Sequence, residues 1–367
     1  MISTDTKIFE QGSSVRNRMV EYGSLFDELH IVVFAKKGNC TDIDTLSNRV
    51  SAYRTCSRSR YFYCFDALRI ASRIITSKRG DFGITHITTQ DPFETGIVGR
   101  VLAKKYTLPL NVQVHTDFLS TYFRKENILN RIRVGLSRFV FAQATSVRVV
   151  SHRIQKSLEK SGFLNKTCSV SVLPIYVDAQ KIKDAPLGTS LKVAYPQFDR
   201  IVLMASRLTH EKDIHTALCA FTEVLVTYPR AGLVIVGDGP ERDSLSRFCE
   251  KKGIHSSVVF LPWMNSDDLY SSYKTADVFL LSSLYEGYGM TLIEAGIAGA
   301  AVVSTDVGIA PELLSEARVC PPRDEKCLAR HVIEAFKNPQ QYRMTDSFAL
   351  IARREVYLQK YKESLLA

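Results

Sequence analysis

The sequence predicts an α/β protein with two doubly wound domains, each built on a parallel sheet. Short apolar runs alternate with helical patterns, a stretch of weak periodicity runs from Pro174 to near Pro196, and the alternation then restarts. Strands separated by helices of 10–15 residues imply βαβ units and therefore parallel sheets. The length of 367 residues also fits two domains, since one domain takes about 150 residues.

Apolar runs in the first half are predicted to be strands, and the periodic segments between them helices. The predicted strands are residues 30–35, 83–88, 110–114, 146–150 and 170–173. The predicted helices are residues 15–25, 64–77, 95–105 and 128–142. Only Met1 and Ile2 precede Ser3 at the first strand. We therefore expect either a start further upstream or a short edge of the sheet.

The second half repeats the pattern. Its predicted strands are residues 201–205, 232–236, 258–261, 277–281 and 300–304. A final helix is expected after Thr345 and Asp346, with an apolar stripe of Phe348, Tyr357, Tyr361 and Leu365. We assign residues 1–178 and 179–345 to the two domains and residues 346–367 to the final helix. Ligands of open α/β sheets bind at the carboxyl ends of the strands, so we expect a ligand cleft between the domains.

Charge and cysteine content limit the class of protein. The net charge is +10, with +12 in residues 1–175 and −2 in residues 176–367. An anionic partner of the first half or simple solubility explains this asymmetry. The start lacks the features of a signal peptide, and no uncharged run is long enough for a spanning helix. The eight scattered cysteines form no C-x2-C pair, which favours reduced thiols in a cytoplasmic protein without zinc.

The densest motif is LYEGYGMTLIEA, residues 284–295. It follows a predicted strand and begins a helix, so free amides of Gly289, Met290 and Thr291 point at the turn and predict a phosphate site. Glu286 and Glu294 flank that turn, where carboxylates accept hydrogen bonds from vicinal hydroxyls. The alternatives are a capping box, Thr291-x-x-Glu294, and a solvated loop position for Glu286.

The E-x7-E frame resembles that of the retaining glycosyltransferases of family 4, which have the GT-B fold. Further segments agree: ASRL…EKD at residues 205–213, VGDGP at 236–240, TDVG…PE at 305–312, DPFETG at 91–96, VHTDF at 114–118 and EQGS at 10–13. Two positions depart from the family, because Ser206 and Asp213 stand where it has glycine. The resemblance covers nearly the whole chain.

The resemblance implies a metal-independent enzyme of the hexosyltransferase type, without cofactors, that uses a nucleoside-diphosphate sugar as its donor. Arg207 and Lys212 are expected to hold the diphosphate, Glu286 the sugar hydroxyls and Glu294 the ribose hydroxyls. His115 is expected to contact the transferred sugar, and Gly12 the phosphate. The remaining donor-site candidates are Gly237, Gly239, Gly287 and Tyr288. A satisfied strand-end histidine is the alternative for His115.

Two acidic positions have weaker assignments. Asp117 either binds the acceptor or caps the following turn. Asp42 and Asp44 match a D-x-D metal pattern, but they lie in a polar loop away from the donor motifs, so we predict no metal there. The resemblance implies front-face displacement, in which the leaving phosphate accepts the proton of the acceptor. Orientation and charge stabilisation are then the protein's main contributions.

Residues 124–166 contain ten Lys and Arg but only two acidic residues. Apolar residues recur among them at helical spacing: Ile128, Leu129, Ile132, Leu136, Phe139 and Val140. This pattern is typical of a basic amphipathic helix on an anionic membrane, or of a core-facing stripe with a solvated basic face. Nucleic acid is disfavoured, because there is no binding motif and no interleaved aromatic platform.

The sequence therefore predicts a glycosyltransferase that acts on a glycan or a lipid-linked acceptor hydroxyl in cell-envelope synthesis. We expect it in the cytoplasm, either free or peripheral on the inner face of the plasma membrane. The alternatives are a related sugar-nucleotide epimerase and a non-catalytic nucleotide-sugar-binding protein. A dinucleotide-dependent dehydrogenase is poorly supported, because neither domain has G-x-G-x-x-G after its first strand.

Overall fold

The computed structural model describes residues 1–38, 43–78, 83–188, 190–314, 318–344 and 353–366. The chain forms two compact units. Unit 1 comprises Met1–Pro174 and Arg353–Ala367, and unit 2 comprises Ile175–Ala352. The domain limits expected from the sequence, 178/179 and 345/346, lie a few residues from these boundaries.

Unit 1 alternates strands with helices along most of its length. Its strands are β1 (Ile2–Ser3), β2 (Leu29–Val33), β3 (Ile43–Ser47), β4 (Val50–Arg54), β5 (Ile87–Thr89), β6 (Leu110–Val114), β7 (Ser146–Val149) and β8 (Ser169–Val172). Its helices before residue 175 are α1 (Ser14–Gly23), α2 (Tyr63–Ser77), α3 (Glu94–Tyr106), α4 (Thr121–Glu126), α5 (Ile128–Phe141) and α6 (His152–Ser161). In the described residues the strand order is β3-β4-β2-β1-β5-β6-β7-β8, and β3 is antiparallel to β4 while the other pairs are parallel.

The short first strand lies inside the sheet. Ile2 pairs with Val32 on one side and with Thr89 on the other. The expectation of a short sheet edge is therefore wrong, because β1 has a parallel neighbour on both sides. The amino group of Met1 donates to the carbonyl oxygen of His30 at 2.7 Å, and burial lowers the pKa of that amino group to about 5.

A cavity of about 780 Å³ lies at the amino-terminal edge of this sheet. Its lining includes Leu29 at the start of β2 and Ile87 at the start of β5. The loops that carry the predicted site residues of unit 1 leave the sheet at the carboxyl ends of the strands, which is the opposite edge. The cavity is therefore separate from these residues.

Unit 2 contains a fully parallel sheet within its described residues. Its strands are β9 (Arg200–Ala205), β10 (Ala231–Val236), β11 (Val258–Leu261), β12 (Val278–Leu281), β13 (Ala301–Thr305) and β14 (Val319–Cys320). The order is β11-β10-β9-β12-β13-β14. The helices are α7 (Ala179–Asp184), α8 (Leu191–Ala194), α9 (Ile214–Thr227), α10 (Arg242–Lys252), α11 (Ser266–Thr275), α12 (Met290–Ile297), α13 (Ala310–Leu313), α14 (Glu325–Lys337) and α15 (Pro339–Tyr342).

Both faces of the unit 2 sheet are buried. Along β9, Val202 and Met204 belong to one apolar cluster, whereas Ile201, Leu203 and Ala205 belong to another. Successive side chains of a strand point to opposite faces. The continuous apolar run of β9 is therefore that of a central parallel strand covered by helices on both sides.

The final helix, α16 (Arg354–Leu366), belongs to unit 1. The ring of Tyr361 stacks on that of Tyr22 at a centroid distance of 3.9 Å. Arg148 Nη2 donates to Tyr357 Oη at 3.2 Å, and Arg148 is only 3% exposed. The expected N-cap residues Thr345 and Asp346, and Phe348 of the stripe, lie outside the described residues.

Two cysteines differ from the sequence-based expectation. Cys320 at the end of β14 and Cys327 in the first turn of α14 form a disulfide. The prediction of reduced thiols is therefore wrong for this pair, because the short loop between β14 and α14 brings two cysteines that are seven residues apart into contact. Cys40 lies outside the described residues. None of the helices in the described part of the chain is long and apolar enough to span a bilayer.

Candidate active site

The candidate site of unit 2 lies at the carboxyl ends of its strands. The chain runs from β9 outward to β11 on one side and from β12 outward to β14 on the other. The strand order thus reverses between β9 and β12, and ligands of open α/β sheets bind at such a switch point. The loops after these two strands carry Arg207, Lys212, Glu286 and Gly289.

Lys212 and Glu286 form an ion pair across the switch point. Lys212 Nζ donates to Glu286 Oε1, and the two side chains are 15% and 14% exposed. Ser283 Oγ donates to the same carboxylate oxygen at 2.8 Å. Ser282 Oγ donates to the carbonyl oxygen of Lys212 at 2.8 Å, which ties the two loops together. The carboxylate of Glu286 is therefore held in one orientation while it retains capacity to accept from hydroxyl groups.

Arg207 occupies a different environment from Lys212. Its Nη2 donates to Glu211 Oε1 at 3.0 Å, and its side chain is 65% exposed. Glu211 also accepts the backbone N–H of Leu284 at its carbonyl oxygen, at 2.8 Å. Arg207 thus presents a guanidinium to solvent beside the loop that follows β12, where it is able to meet an incoming anion.

Helix α12 begins directly after the turn that contains Glu286. Gly289 is its N-cap residue, with φ of +93°, and no side chain caps the helix. Thr291 is the second helical residue, so it does not form the capping box that was the alternative for Thr291 and Glu294. The amides of Met290 and Thr291 at this end favour an anion, because the positive end of the helix dipole and the first N–H donors both face outward from the amino terminus.

Glu294 lies inside α12 and is held from α11. Tyr273 Oη donates to Glu294 Oε2 at 3.3 Å, and Tyr273 is fully buried. Burial raises the pKa of Glu294 to about 7, although the hydrogen bond from Tyr273 acts in the opposite direction. Near neutral pH this carboxyl is therefore able both to accept and to donate hydrogen bonds.

Close backbone approach explains three of the glycines in the motifs. A Cβ on Gly237 would lie 1.9 Å from the carbonyl oxygen of Ser206, and one on Gly239 would lie 2.4 Å from that of Leu208. These two glycines pack against the segment that carries Arg207. A Cβ on Gly308 would lie 2.5 Å from the carbonyl oxygen of Tyr288, in the Glu286 turn.

The predicted residues of unit 1 also follow strand ends. Gly12 lies in the turn between β1 and α1, with φ of +75°. His115 and Asp117 follow β6 directly, and Asp117 is 8% exposed. Burial, together with the positive charges of Arg148 and Arg18, lowers the pKa of His115 to about 3, so its imidazole is neutral at physiological pH. Burial raises the pKa of Asp117, and the charge of Arg153 opposes that shift.

Two sets of residues bear on metal binding. Asp44 accepts from Arg16 Nη1 at 2.8 Å, whereas Asp42 lies outside the described residues. Elsewhere, one ligand atom each of Cys320, Cys327 and His331 lie within 4.8 Å of one another. In the disulfide form the two sulfur atoms are bonded to each other and are not thiolate ligands.

Sequence reasoning missed the residues that orient the predicted ones. Ser283 fixes Glu286, Tyr273 holds Glu294, and Glu211 pairs with Arg207. Glu211 stands inside the quoted segment 205–213 and Ser283 directly precedes the motif 284–295, so both positions were close to the motifs in the sequence. Tyr273 was not, because it comes from α11, upstream of the motif.

Comparisons with known proteins agree with this architecture. The structure of sucrose-phosphate synthase (tll1590) from Thermosynechococcus elongatus matches with a TM-score of 0.75 and 18% identity, over 99% of this chain and 97% of that one. The structure of Anabaena Alr3699/HepE in complex with UDP and glucose matches with a TM-score of 0.74 and 19% identity, over 100% and 98%. The fold is GT-B.

Residues 192–349 of this GT-B chain match the family model described as glycosyl transferases group 1. A curated relative, the alpha-monoglucosyldiacylglycerol synthase of Streptococcus pneumoniae, is 24% identical over 66% of this chain and 57% of its own length. The alignments of the first three curated relatives cover between 30% and 57% of their lengths. Residues 192–349 therefore resemble the glycosyl transferases group 1.

Proposed function

We propose that the chain is a retaining glycosyltransferase of family 4 that moves a hexosyl group from a nucleoside-diphosphate sugar to an acceptor hydroxyl. The observation that carries this proposal is the Lys212–Glu286 pair at the switch point of unit 2. A fixed carboxylate beside a cation and an uncapped helix start combines a hydroxyl acceptor with an anion site. Sugar and diphosphate are the two groups that need this combination.

Each part of the donor has a matching group in unit 2. Lys212, exposed Arg207 and the amides of Met290 and Thr291 stabilise the diphosphate, because all of them carry positive charge or point N–H groups outward. Glu286 binds the sugar hydroxyls, and Glu294 binds the ribose hydroxyls. The solved complex of HepE with UDP and glucose supports a donor of this class.

The reaction follows from charge stabilisation. The bond between the anomeric carbon and the diphosphate oxygen breaks, the acceptor oxygen bonds to the same face of that carbon, and the leaving phosphate takes the acceptor proton. Arg207 and Lys212 stabilise the charge that develops on the phosphate, so no protein base is required. The neutral imidazole of His115 donates to or accepts from the sugar, and Gly12 lets backbone amides approach the phosphate. Asp117 contributes to acceptor binding.

The acceptor is proposed to be a glycan or lipid-linked hydroxyl of the cell envelope. The relative named for synthesis of a glucosyldiacylglycerol supports a lipid acceptor. A basic first half, with ten Lys and Arg in residues 124–166, favours a cytoplasmic enzyme that attaches to an anionic membrane. The catalytic step needs neither a metal nor a cofactor in this proposal.

Product analysis tests the function. The wild-type chain is incubated with UDP-glucose and with other nucleotide sugars, with and without acceptor, and the anomeric configuration of the product is read by proton NMR. We expect an acceptor-dependent product that keeps the donor's configuration. An inverted product, or a new sugar nucleotide formed without acceptor, contradicts the proposal, and the latter identifies an epimerase.

Matched variants locate the reaction. Lys212→Ala and Glu286→Ala each remove one partner of a part-buried pair at the site and should lower kcat/KM at least a hundredfold, as removal of a transition-state contact does. Arg230→Ala serves as the control, because Arg230 pairs with Asp199 on the surface with both side chains more than 60% exposed. Equal activity of all three variants and the wild type contradicts the proposed site.

A further inference from the structure

The outer surface of unit 1 carries a concentration of exposed apolar side chains. Among the described residues, nine of the sixteen exposed large apolar side chains lie at or near three helices, α2, α3 and α5. They are Tyr61, Phe62, Phe65, Val101, Ile128, Leu129, Ile132, Leu136 and Phe139. Scattered single hydrophobic residues need no explanation, but a cluster on adjacent helices marks an interaction surface.

The stripe on α5 faces outward. Ile128 is 73% exposed and Phe139 is 60% exposed, whereas Val134, Val140 and Phe141 of the same helix are buried. The core-facing alternative from the sequence is therefore correct only for Val140 and wrong for the five other residues of the stripe. The helix has two apolar faces: one packs on the unit, and the other has no partner in the described part of unit 1.

Helix α2 extends this surface beyond α5, with α3 between the two. Helix α3 packs against both α2 and α5. Strands β5, β6 and β7 are successive neighbours in the sheet. Right-handed crossovers between them therefore place α3 and α5 on the same face of the sheet. Tyr61 and Phe62, which directly precede α2, are 83% and 51% exposed, and Phe65 in its first turn is 66% exposed. We call the nine side chains on these helices the outer apolar face.

Positive charge surrounds the outer apolar face. Residues 58–78, 94–106 and 121–141 contain thirteen Lys and Arg but three acidic residues, Asp66, Glu94 and Glu126. Each of these acids is already engaged: Asp66 accepts from Ser57, Glu94 pairs with Arg133, and Glu126 accepts from Asn130. Arg148, by contrast, is buried and contributes nothing to the surface.

The position of the face relates it to the predicted acceptor residues. Tyr61 precedes α2 and Phe65 lies in its first turn, on the segment that follows the carboxyl end of β4. Ile128 begins α5, on the segment that follows the carboxyl end of β6 and the short helix α4. His115 and Asp117 leave the sheet at this same edge. A surface that contacts the outer apolar face therefore reaches, at the start of α2 and of α5, the edge from which unit 1 would take its acceptor.

We propose that the outer apolar face docks unit 1 on an anionic lipid bilayer, with α2 and α5 both inserted at the interface. Apolar side chains enter the acyl boundary while the flanking arginines and lysines meet anionic headgroups, which is the recognition chemistry of interfacial helices. The inference rests on the proposed function only in taking the bilayer as the source of the acceptor. The docking surface then includes α2 as well as the basic segment 124–166. It excludes Arg148, which is buried.

Vesicle sedimentation tests the proposal with the full chain. Vesicles of phosphatidylcholine are compared with vesicles in which about one third of the lipid is phosphatidylglycerol. The wild type is expected to bind the anionic vesicles at least tenfold more tightly than the neutral ones. Equal binding to both, or no binding to either, overturns the proposal.

Charged substitutions define the face. Ile132→Glu and Phe139→Glu on α5, and Phe65→Glu on α2, should each weaken binding to anionic vesicles at least tenfold. Val226→Glu is the control, because Val226 is 82% exposed on α9 of unit 2. The proposal is wrong if Phe65→Glu binds like the wild type, since α2 then takes no part. It is equally wrong if the wild type is a dimer in ultracentrifugation that these variants dissociate.

Two further readouts separate this proposal from the proposed function. Thermal melts and UDP binding report that each variant is folded and that unit 2 is intact. If the wild type turns over a nucleotide sugar but ignores vesicles, the docking proposal fails and the function stands. If it binds vesicles through the outer apolar face but Lys212→Ala leaves turnover unchanged, the function fails and docking stands.

Discussion

At the scale of single residues, the Lys212–Glu286 pair shows what a motif does and does not reveal. The spacing of the glutamates and the lysine predicted one donor site, and the structure brings Lys212 and Glu286 into contact. The orienting contacts were harder to foresee. Tyr273 reaches Glu294 from α11, and only packing of α11 on α12 creates that contact.

The raised pKa of Glu294 predicts a pH-dependent stability. Its pKa is about 7 in the folded chain and about 4.5 in the unfolded one. The folded state therefore binds the proton more tightly between these values, so stability falls as pH rises through this window. The loss is at most about 3 kcal/mol. Glu294→Gln removes this titration. Between about pH 5 and pH 8 the melting temperature of the variant should therefore fall by less than that of the wild type.

A matched glutamate controls this experiment. Glu250→Gln alters an exposed carboxyl on α10 of the same unit. Its melting temperature should follow the wild type across the pH range. Parallel curves for the wild type and Glu294→Gln would show that burial of Glu294 does not shift its titration.

At the scale of elements, the turn after β12 depends on the turn after β13. Gly308 has φ of +52°, and a Cβ there would also lie 3.1 Å from the Cβ of Glu286. Gly299 has φ of +91° but open space around its missing Cβ. Both positions favour glycine by backbone conformation, but of the two only Gly308 also packs against the turn that carries Glu286.

The two glycines make a matched pair of variants. Gly299→Ala should cost about 1 kcal/mol of stability and leave donor affinity unchanged. Gly308→Ala should weaken donor binding at least tenfold, because the Tyr288 carbonyl and Glu286 must move. Calorimetric titration with the donor measures both. Equal donor affinity of the two variants would show that the contact with the Glu286 turn is unimportant.

Sequence periodicity predicted the regular elements better than the irregular ones. Helix α5 was expected at residues 128–142 and is observed at Ile128–Phe141. The β3–β4 hairpin was missed, since β3 is mostly polar, has no fully buried residue and gives no apolar alternation. The outward orientation of α5 was left open for a physical reason: a helix with apolar residues on two faces does not reveal which face is buried.

At the scale of the whole molecule, chemistry and charge are divided between the units. The pair of Lys212 and Glu286 and the start of α12 belong to unit 2, whose half of the sequence is nearly neutral. The excess positive charge and the outer apolar face belong to unit 1. Because the two features lie in different units, a substitution in the outer apolar face should leave nucleotide binding unchanged. A substitution at Lys212 or Glu286 should leave vesicle binding unchanged.

The central claim is that the Lys212–Glu286 region binds a nucleoside diphosphate. A thermal-shift panel of UDP, GDP, ADP and their sugars, with the wild type and Lys212→Ala side by side, tests it most directly. A ligand that binds the folded state raises stability by RT ln(1 + [L]/Kd). We expect one nucleotide series to raise the melting temperature of the wild type, and Lys212→Ala to lose most of that rise. No shift with any nucleotide at millimolar concentration, or an equal shift in both proteins, would contradict the account.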